Sequence, residues 1–411
     1  MSWVQSTLGE VADIFSGYAF KSADMNSEGG TPLIKIKNIA DSAVSHECDA
    51  FLNKDFNLAK FERFHLLRDD FLVAMTGQGS VGRIGKMRDY KPGFYVNQRV
   101  AIVRVNPEKA NPVFIFYQIA TRSNELELFK KANGAGQPNI SAKQIGELPV
   151  VLPSTEQQQY IADVFSSYDD LIENNQKQIK LLEEAAQRLY KEWFVDLRFP
   201  SHETTPIVDG VPEGWTYKPF SEVFDYVRGK SYTSKELSDT TGILMANLKN
   251  IRAFGGYNRN AEKRFTGQYK ANQMLYAGDI VMGVTDMTQE RRLVGHVALV
   301  PDLGQKMTFS MDLIKMIPKL TDNLFLYSAM YYGGLSKQIS PLANGVNVLH
   351  LKPEAMMGIE MLTPTKDILE RYHQQFAPMV TRIEALQKQC DVAAEARDRL
   401  IPKLMSGEIE V

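Results

Sequence analysis

The sequence has few of the features that mark secreted, membrane-spanning or metal-binding proteins. Its 411 residues include only two cysteines, Cys48 and Cys390, which lie far apart in sequence. They cannot build a disulfide framework or a Cys-x-x-Cys zinc site, so buried reduced thiols are expected. No apolar run reaches the 18 residues of a membrane helix, and no signal-peptide pattern opens the chain. These absences predict a cytoplasmic protein with no membrane partner.

The motifs of common catalytic sites are also missing. The sequence contains no His-Glu-x-x-His, Gly-x-Ser-x-Gly or P-loop pattern, and its six histidines are scattered. His46-Glu47-Cys48 alone offers too few ligands for a metal ion. Residues 106–108, Asn-Pro-Glu, lack the second proline and the aromatic residue of an amino-methyltransferase pocket. The sequence therefore predicts no catalytic residue and no metal site.

The charge balance argues against a non-specific nucleic-acid binder. Formal net charge is −2, from 47 Lys+Arg and 49 Asp+Glu. The acidic residues are concentrated in two helical segments. If this protein binds nucleic acid, the globular parts must bind it, and a partner must neutralise much of the phosphate charge.

One stretch near the middle of the chain, residues 154–199, contains no glycine and no proline. Its apolar residues alternate at spacings of three and four, as a coiled-coil seam requires, and Asn175 interrupts that seam. Ser154 and Gln157 form a capping-box pattern at its start. The sequence predicts a long helix here that needs a partner for its apolar stripe.

The C-terminal residues repeat this pattern and supply the partner. Pro378 lies inside the second pattern, where it would remove a hydrogen bond and clash with the preceding turn. We expect a break there and a matching break near Ser167. Each segment is then a short helix followed by one of about 26 residues, roughly 39 Å at 1.5 Å per residue.

The chain contains one unit twice. Trp3 opens WVQSTLGEVADIFSGYAF, and Trp215 opens WTYKPFSEVFDYVRGKSY 212 residues later. Each copy has short β-branched runs and one predicted amphipathic helix, at residues 111–129 and 322–338. The predicted domains are 1–153 and 201–365, both mixed α/β, with a central helical segment at 154–200 and a C-terminal helical segment at 366–411.

Polar loops recur at matching positions in the two copies. The most distinctive is TGQGSVGRIGK at residues 76–86, whose glycines allow close approach of its backbone to another molecule. The second copy keeps a basic pair there but lacks the glycines. Each loop taken alone is more simply a solvated surface loop, and recurrence in both copies favours binding of base edges and phosphates. The candidate DNA-contacting residues are Lys21, Lys35, Lys37, Asn38, Gly77, Gln78, Ser80, Arg83, Lys86, Gln137, Asn139, Arg228, Lys230, Lys249, Asn250, Arg252, Thr288, Gln289, Arg291, Arg292, Asn347 and His350.

Four short motifs accompany the duplicated unit: LPSTEQ at 152–157, LYKEWFVD at 189–196, NIS at 139–141 and LMSGEI at 404–409. In combination they make the sequence resemble the specificity subunit of Type I restriction-modification enzymes over its whole length. The resemblance implies an α+β fold with two pseudo-symmetric target-recognition domains joined by two long antiparallel coiled-coil helical spacers. The loop at 285–295 departs from its counterpart, which makes the recognition role of Arg291 and Arg292 less secure than that of Gln78 and Arg83.

The resemblance also implies what such a subunit does. Each domain reads one half of a split, asymmetric target in double-stranded DNA, and the helix length sets the unread gap. The implied partners are two methyltransferase subunits that modify adenine and two translocase-nuclease subunits. S-adenosylmethionine, ATP and magnesium are expected on those partners and none on this chain, which is expected to be non-catalytic.

A different class of function fits the residues without the resemblance, namely a coiled-coil scaffold whose repeated domains bind proteins. A complete single-chain restriction enzyme is not expected, because it would need a methyltransferase domain that this length does not contain. The target bases do not follow from the loops, since no code maps loop residues to DNA sequence.

Overall fold

The computed structural model describes residues 3–132 and 138–409. The chain forms two compact units, Met1–Lys177 with Gln387–Val411 (unit 1) and Gln178–Leu386 (unit 2). Both long helices cross from one unit to the other, so each unit contains a part of each helix. In the described residues no helix is long and apolar enough to cross a membrane.

Unit 1 is built on a six-stranded sheet whose central strands are buried on both faces. Phe71–Ala74 and Val100–Val105 are nearly continuous apolar runs, as strands covered on both sides require. Phe71 and Val73 pack into the cluster that includes the helices, whereas Leu72 and Ala74 pack into a second cluster on the opposite face. The strand order of this sheet is Ala12–Ser16, Val100–Val105, Phe71–Ala74, Ile84–Lys86, Ser42–Val44, Ile39–Ala40.

Smaller sheets and short helices complete unit 1. A four-stranded sheet runs in the order Tyr95–Val96, Thr31–Ile34, Phe51–Leu52, Met25–Asn26, and Val4–Thr7 pairs with Pro149–Leu152. The short helices are Leu8–Val11, Pro112–Ile119, Arg122–Lys131 and Ala142–Gly146.

Unit 2 repeats the plan. Its main sheet has the order Phe224–Arg228, Leu313–Pro318, Ile280–Gly283, Val297–Leu299, the counterpart of the first four strands of unit 1. A five-stranded sheet has the order Leu237–Ser238, Lys263–Phe265, Ile243–Ala246, Met307–Phe309, Met274–Leu275. The paired strands are Thr216–Pro219 with Glu360–Thr363, Thr285–Asp286 with Leu349–His350, and Ile207–Val208 with Val211–Pro212, and the short helices are Phe220–Val223, Asn323–Tyr331 and Leu335–Ile339.

The matching strand orders confirm the predicted α+β class with a repeated unit. Each predicted amphipathic helix is, however, two helices. Thr121 begins a second helix by accepting a hydrogen bond from the backbone N–H of Asn124 at 3.2 Å. Gly334 turns the chain in unit 2 with a φ of +75°, a left-handed conformation that glycine adopts without strain.

The two long helices are continuous, so the predicted breaks are wrong. They span Thr155–Tyr190, followed by a π-helical turn at Lys191–Val195, and Lys366–Met405. Ser167 does not cap a new helix, because its hydroxyl donates to the carbonyl of Asp163 one turn earlier at 2.8 Å. Pro378 is exposed, while Tyr372 and Phe376 before it are fully buried. Burial of this apolar stripe outweighs the hydrogen bond that the proline removes.

In unit 1 the two helices pack against each other in antiparallel directions. Asn175 donates to Gln389 Oε1 at 3.2 Å, and the thiol of Cys390 donates to the carbonyl of Ile172 at 3.7 Å. Residue numbers rise along one helix as they fall along the other. The polar seam residue Asn175 therefore pairs with another amide, which fixes the register of the two helices.

The helices of unit 1 are also tied to its globular part through one buried carboxylate. Asp169 accepts hydrogen bonds from Tyr117 Oη at 2.5 Å and from Arg88 Nη1 at 3.1 Å, and it forms an ion pair with Arg397. Arg88 and Tyr117 belong to the globular part, and Arg397 belongs to the C-terminal helix. Burial raises the pKa of Tyr117 far above its usual value, and the Asp169 charge adds to that rise.

In unit 2 the same helices again run antiparallel. Arg382 Nη2 donates to Gln178 Oε1 at 3.2 Å, and the rings of Phe194 and Tyr372 lie 4.9 Å apart. Arg259 joins the globular part to the C-terminal helix through an ion pair with Glu384 at 2.8 Å. A single core cluster includes the main sheet, the helix Asn323–Tyr331 and both long helices.

Candidate nucleic-acid interface

Four chain segments of unit 1 meet at one end of its main sheet. The backbone N–H of Met75 donates to the carbonyl of Arg99 at 2.9 Å, and that of Ile140 donates to Met75 at 2.9 Å. The N–H of Gln98 donates to the carbonyl of Tyr18 at 3.0 Å. These main-chain bonds assemble a polar edge that we call rim 1, formed by Tyr18, residues 97–99, residues 75–80 and residues 138–140.

Unit 2 has the same main-chain bonds at the corresponding place. The N–H of Val284 donates to the carbonyl of Asp312 at 2.8 Å, and that of Leu351 donates to Val284 at 2.8 Å. The N–H of Met311 donates to the carbonyl of Lys230 at 3.0 Å. The equivalent edge, rim 2, is formed by Lys230, residues 310–312, residues 284–293 and residues 344–351.

The two rims share a backbone and differ in their side chains. An antiparallel bridge pairs Thr76 with Asn139 in rim 1 and Thr285 with His350 in rim 2, which fixes the correspondence. The side chains carried at matching positions then form the pairs Tyr18 and Lys230, Gln78 and Met287, Gln98 and Met311, Arg99 and Asp312, Asn139 and His350.

The predicted glycine loop forms the tip of rim 1. Gly77 and Gly79 have φ values of +107° and +77°, and the exposed Gln78 lies between them. A Cβ on Gly79 would meet nothing within 4 Å, whereas a Cβ on Gly82 would lie 2.7 Å from the carbonyl of Glu125. Gly82 therefore serves packing against the helix Arg122–Lys131, and only the turn around Gln78 is open to a ligand.

A buried carboxylate organises the matching loop of rim 2. Asp286 accepts hydrogen bonds from the backbone N–H groups of Thr288 at 2.8 Å, Leu293 at 2.6 Å and Val294 at 3.2 Å. Burial by itself raises the pKa of Asp286, but these donors together lower it below its ordinary value. An ionised carboxylate holds this loop where unit 1 uses glycine turns.

The structure corrects two predicted DNA contacts, Asn38 and Asn250. Both are buried, with 3% and 0% of their surface exposed. Asn38 accepts from the N–H of Lys35 at 2.9 Å, and Asn250 accepts in the same way from Asn247 at 2.9 Å. Both asparagines act inside the fold as caps of short 3₁₀ turns, so their side chains are not available to DNA.

Several predicted cations already have acidic partners. Lys35 lies 3.9 Å from Asp49, which also pairs with Lys37. The hydrogen bond from Tyr226 and the nearby Arg228 guanidinium lower the pKa of Glu354 to about 2. Further pairs are Lys86 with Asp69 at 3.1 Å, Arg228 with Glu354 at 2.8 Å and Arg292 with Glu290 at 3.9 Å.

The other predicted residues are divided between the rims and the surfaces beside them. Thr288 donates its hydroxyl to Asp286, and Gln289 Nε2 donates to the carbonyl of Val346 at 2.9 Å, so both support the loop of rim 2. Burial raises the pKa of Glu183 on the central helix, and the positive charge of Arg252 partly offsets that rise. Gln137 lies outside the described residues. Gln78, Asn139, Asn347 and His350 are exposed on the rims, Lys21 and Lys249 are exposed, and Ser80, Arg83, Lys230 and Arg291 are half-buried.

The sequence predictions missed the residues just before the longest strand of each main sheet. Gln98 and Arg99 precede Val100–Val105, and Met311 and Asp312 precede Leu313–Pro318. A signal for these residues was present in the sequence. Residues 97–99 (NQR) and 310–312 (SMD) each come directly before one of two matching apolar runs. In the described residues no group of three or more His, Cys, Asp or Glu side chains is placed to hold a metal ion.

Residues 1–184 match the model of the family described as the Type I restriction modification DNA specificity domain. The chain is thus similar to the specificity subunits of Type I restriction enzymes. Among the relatives of this chain, the Type I restriction enzyme MjaIX specificity subunit of Methanocaldococcus jannaschii is 26% identical over 72% of this chain and 69% of the relative. The HindI specificity subunit of Haemophilus influenzae is 22% identical over 99% of both chains.

The fold of this chain also has a solved counterpart. The crystal structure of the Type I restriction-modification S subunit from M. genitalium matches with a TM-score of 0.62, covering 98% of this chain and 96% of that chain. Identity between the two is 14%, so the match supports the shared fold and no individual residue role. The family resemblance and the fold class predicted from the sequence are thus confirmed.

Proposed function

We propose that this chain is a Type I specificity subunit that reads a split DNA target, with rim 1 on one half-site and rim 2 on the other. The observation that carries the proposal is the pair of rims, in which the same main-chain hydrogen bonds recur and the side chains differ. Two copies of one scaffold with different side chains are what an asymmetric two-part target requires.

The chemistry of rim 1 suits base recognition. Gln78 and Arg99 are exposed, and the Arg99 side chain has no partner in the described residues. Arginine bonds guanine through O6 and N7, and glutamine bonds adenine through N6 and N7, in the major groove. Lys21 and Lys249 are placed outside the rims and suit phosphate contacts, which position a protein on the duplex without reading it.

The proposal also includes the partner subunits and the gap between the two DNA half-sites. The chain has no catalytic role in it and directs methyltransferase and translocase-nuclease subunits, which carry S-adenosylmethionine, ATP and magnesium, to the chosen adenine. The two long helices, about 54 Å and 60 Å at 1.5 Å per residue, set the number of base pairs between the half-sites.

Selection of bound duplexes from a random library by the full chain tests the proposal. We expect two constant blocks separated by a gap of fixed length. Arg99→Ala is expected to lower discrimination at one position of one block by about 10- to 100-fold, the effect of losing a bidentate contact, and to leave the other block unchanged.

Lys109→Ala is the matched control. Lys109 is an exposed basic residue that lies beyond the other end of the strand that follows Arg99. Its removal is expected to leave both blocks intact. A library that yields no constant block with the wild-type chain, or an Arg99→Ala variant with unchanged preferences, contradicts the proposal.

A further inference from the structure

We propose that rim 2 recognises the 5-methyl groups of thymine through Met287 and Met311. This inference rests on the function proposed above and adds the chemistry of one half-site to it. Rim 1, in contrast, presents polar side chains at the same two positions.

The first support is a repeated exchange of glutamine for methionine. Met311 occupies the backbone position of Gln98, since each donates its N–H at 3.0 Å to the matching residue of another segment, Lys230 or Tyr18. Met287 follows the bridged threonine of rim 2 by two residues, as Gln78 follows that of rim 1. Methionine and glutamine are unbranched and similar in length, so the exchange keeps the reach of the side chain and replaces an amide with an apolar thioether.

The second support is the exposure of these side chains. Met287 is 75% exposed and Met311 is 55% exposed. Val346, held beside the loop by the hydrogen bond from Gln289 to its carbonyl, is 88% exposed. One exposed apolar side chain is ordinary, but three on one rim indicate a surface that another molecule covers.

Thymine is the occupant that fits this surface. Its 5-methyl group is the apolar mark that base pairs present in the major groove, and apolar side chains recognise it by contact. Met287 and Met311 occupy the positions that Gln78 and Gln98 have in rim 1. The thymine methyl groups would therefore contact the surface of rim 2 that we propose to read bases. A flexible thioether adapts to the exact position of a methyl group.

The negative charge of Asp312, next to Met311, favours contact with base edges over contact with phosphate. Asp312 replaces Arg99 and accepts hydrogen bonds from Thr285 Oγ1 and Ser310 Oγ, both at 3.2 Å. A carboxylate repels the DNA backbone, disfavours the acceptor atoms of guanine and accepts from the amino group of cytosine. At the position where rim 1 has Arg99, rim 2 therefore suits a pyrimidine base rather than guanine.

Replacement of thymine by deoxyuridine, which lacks only the 5-methyl group, tests the inference. After the target of the full chain is selected, thymines are replaced in one half-site at a time and the dissociation constant is measured. We expect about a fourfold loss of affinity for each contacted methyl removed from one half-site. Replacement in the other half-site is expected to have no effect.

Two reciprocal variants assign the effect to rim 2. Met311→Gln alone is expected to reduce the uracil sensitivity, and the double variant with Met287→Gln is expected to bind the thymine and deoxyuridine duplexes equally well. Gln98→Met, the matched exchange in rim 1, is expected to keep the uracil sensitivity of the wild-type chain. All three variants change an exposed side chain, and a thermal unfolding curve checks that each is folded.

The outcomes separate this inference from the proposed function. A wild-type chain that selects a split target but tolerates uracil in both half-sites overturns the inference alone, as does a target with no thymine in either half. Uracil sensitivity that survives in the double methionine variant also overturns it. If the double variant loses its methyltransferase partner in co-purification and keeps its base preferences, the patch is a protein contact. A chain that selects no DNA sequence overturns both.

Discussion

At the scale of single residues, Asn250 stabilises the fold instead of contacting DNA. Asn250 is fully buried and donates to the carbonyl of Asn258 and to Glu262 Oε1, both at 3.0 Å. Asn250→Ala removes these bonds and leaves buried partners unsatisfied, so we expect the free energy of unfolding to fall by about 2–4 kcal/mol. Lys249→Ala, at the exposed neighbour, is the control and is expected to change stability by less than about 0.5 kcal/mol in urea denaturation.

A second residue-scale prediction concerns the pH dependence of rim 2. The pKa of Asp286 is lowered in the folded chain, so its contribution to stability is complete above the ordinary value of 3.8 and is lost as pH falls through the lowered value. We expect the stability difference between wild type and Asp286→Asn to be constant from pH 7 to 5 and to shrink below about pH 4. Asp239→Asn, an exposed change, should show no such dependence, and a difference that grows in acid would contradict the assignment.

At the scale of elements, the C-terminal helix contains a proline, a residue that disfavours helical structure. Pro378 lies on the exposed side of a helix that runs without a break from Lys366 to Met405. Pro378→Ala restores a main-chain hydrogen bond and removes no buried surface, so we expect a gain of about 1–3 kcal/mol in the free energy of unfolding. Thermal denaturation measures it, and the exposed substitution Gln374→Ala serves as the control. A loss of stability would show that the proline is needed where it stands.

The carboxylate that ties the helices of unit 1 to its globular part gives a second prediction at this scale. Asp169→Ala leaves Arg88 and Tyr117 without their carboxylate partner in a buried place and leaves Arg397 with Asp398 alone. Breaking such a network by removing one member costs about 3–5 kcal/mol. Asp170→Ala changes the exposed neighbour and is expected to have little effect, so equal losses in the two variants would rule out the buried network as the cause.

The sequence predicted helices and strands better than it predicted the contacts of individual side chains. The apolar runs at Phe71–Ala74 and Val100–Val105 and the seams of both long helices are visible in the sequence, because burial imposes a period on them. The break at Pro378 was predicted from local chemistry, and the structure shows that tertiary packing overrides it. Asn38 was misplaced because an asparagine that caps its own turn and one that faces DNA look alike in sequence. Arg99 was missed because its place on the rim depends on pairing with Met75, which is distant in the chain.

At the scale of the whole molecule, the length of the two helices is proposed to set the gap in the DNA target. Deleting four residues from both helices removes about 6 Å, slightly more than one turn, from each and keeps the apolar stripes nearly in phase. We expect the preferred gap to shorten by about one to two base pairs of 3.4 Å, measured with duplexes of graded spacing. The same deletion in only one helix is the control, and it is expected to lower stability because the seams no longer match. An unchanged gap in the double deletion would contradict the proposal.

The main-chain hydrogen bonds that recur in the two rims do not depend on the exposed side chains of Gln78, Gln98, Met287 and Met311. A single substitution at an exposed rim position therefore leaves these main-chain bonds in place. Because the unit occurs twice, a substitution in one rim also leaves the side chains of the other rim unchanged. Under the proposed function, one half of the DNA target can change in this way while the other half is kept.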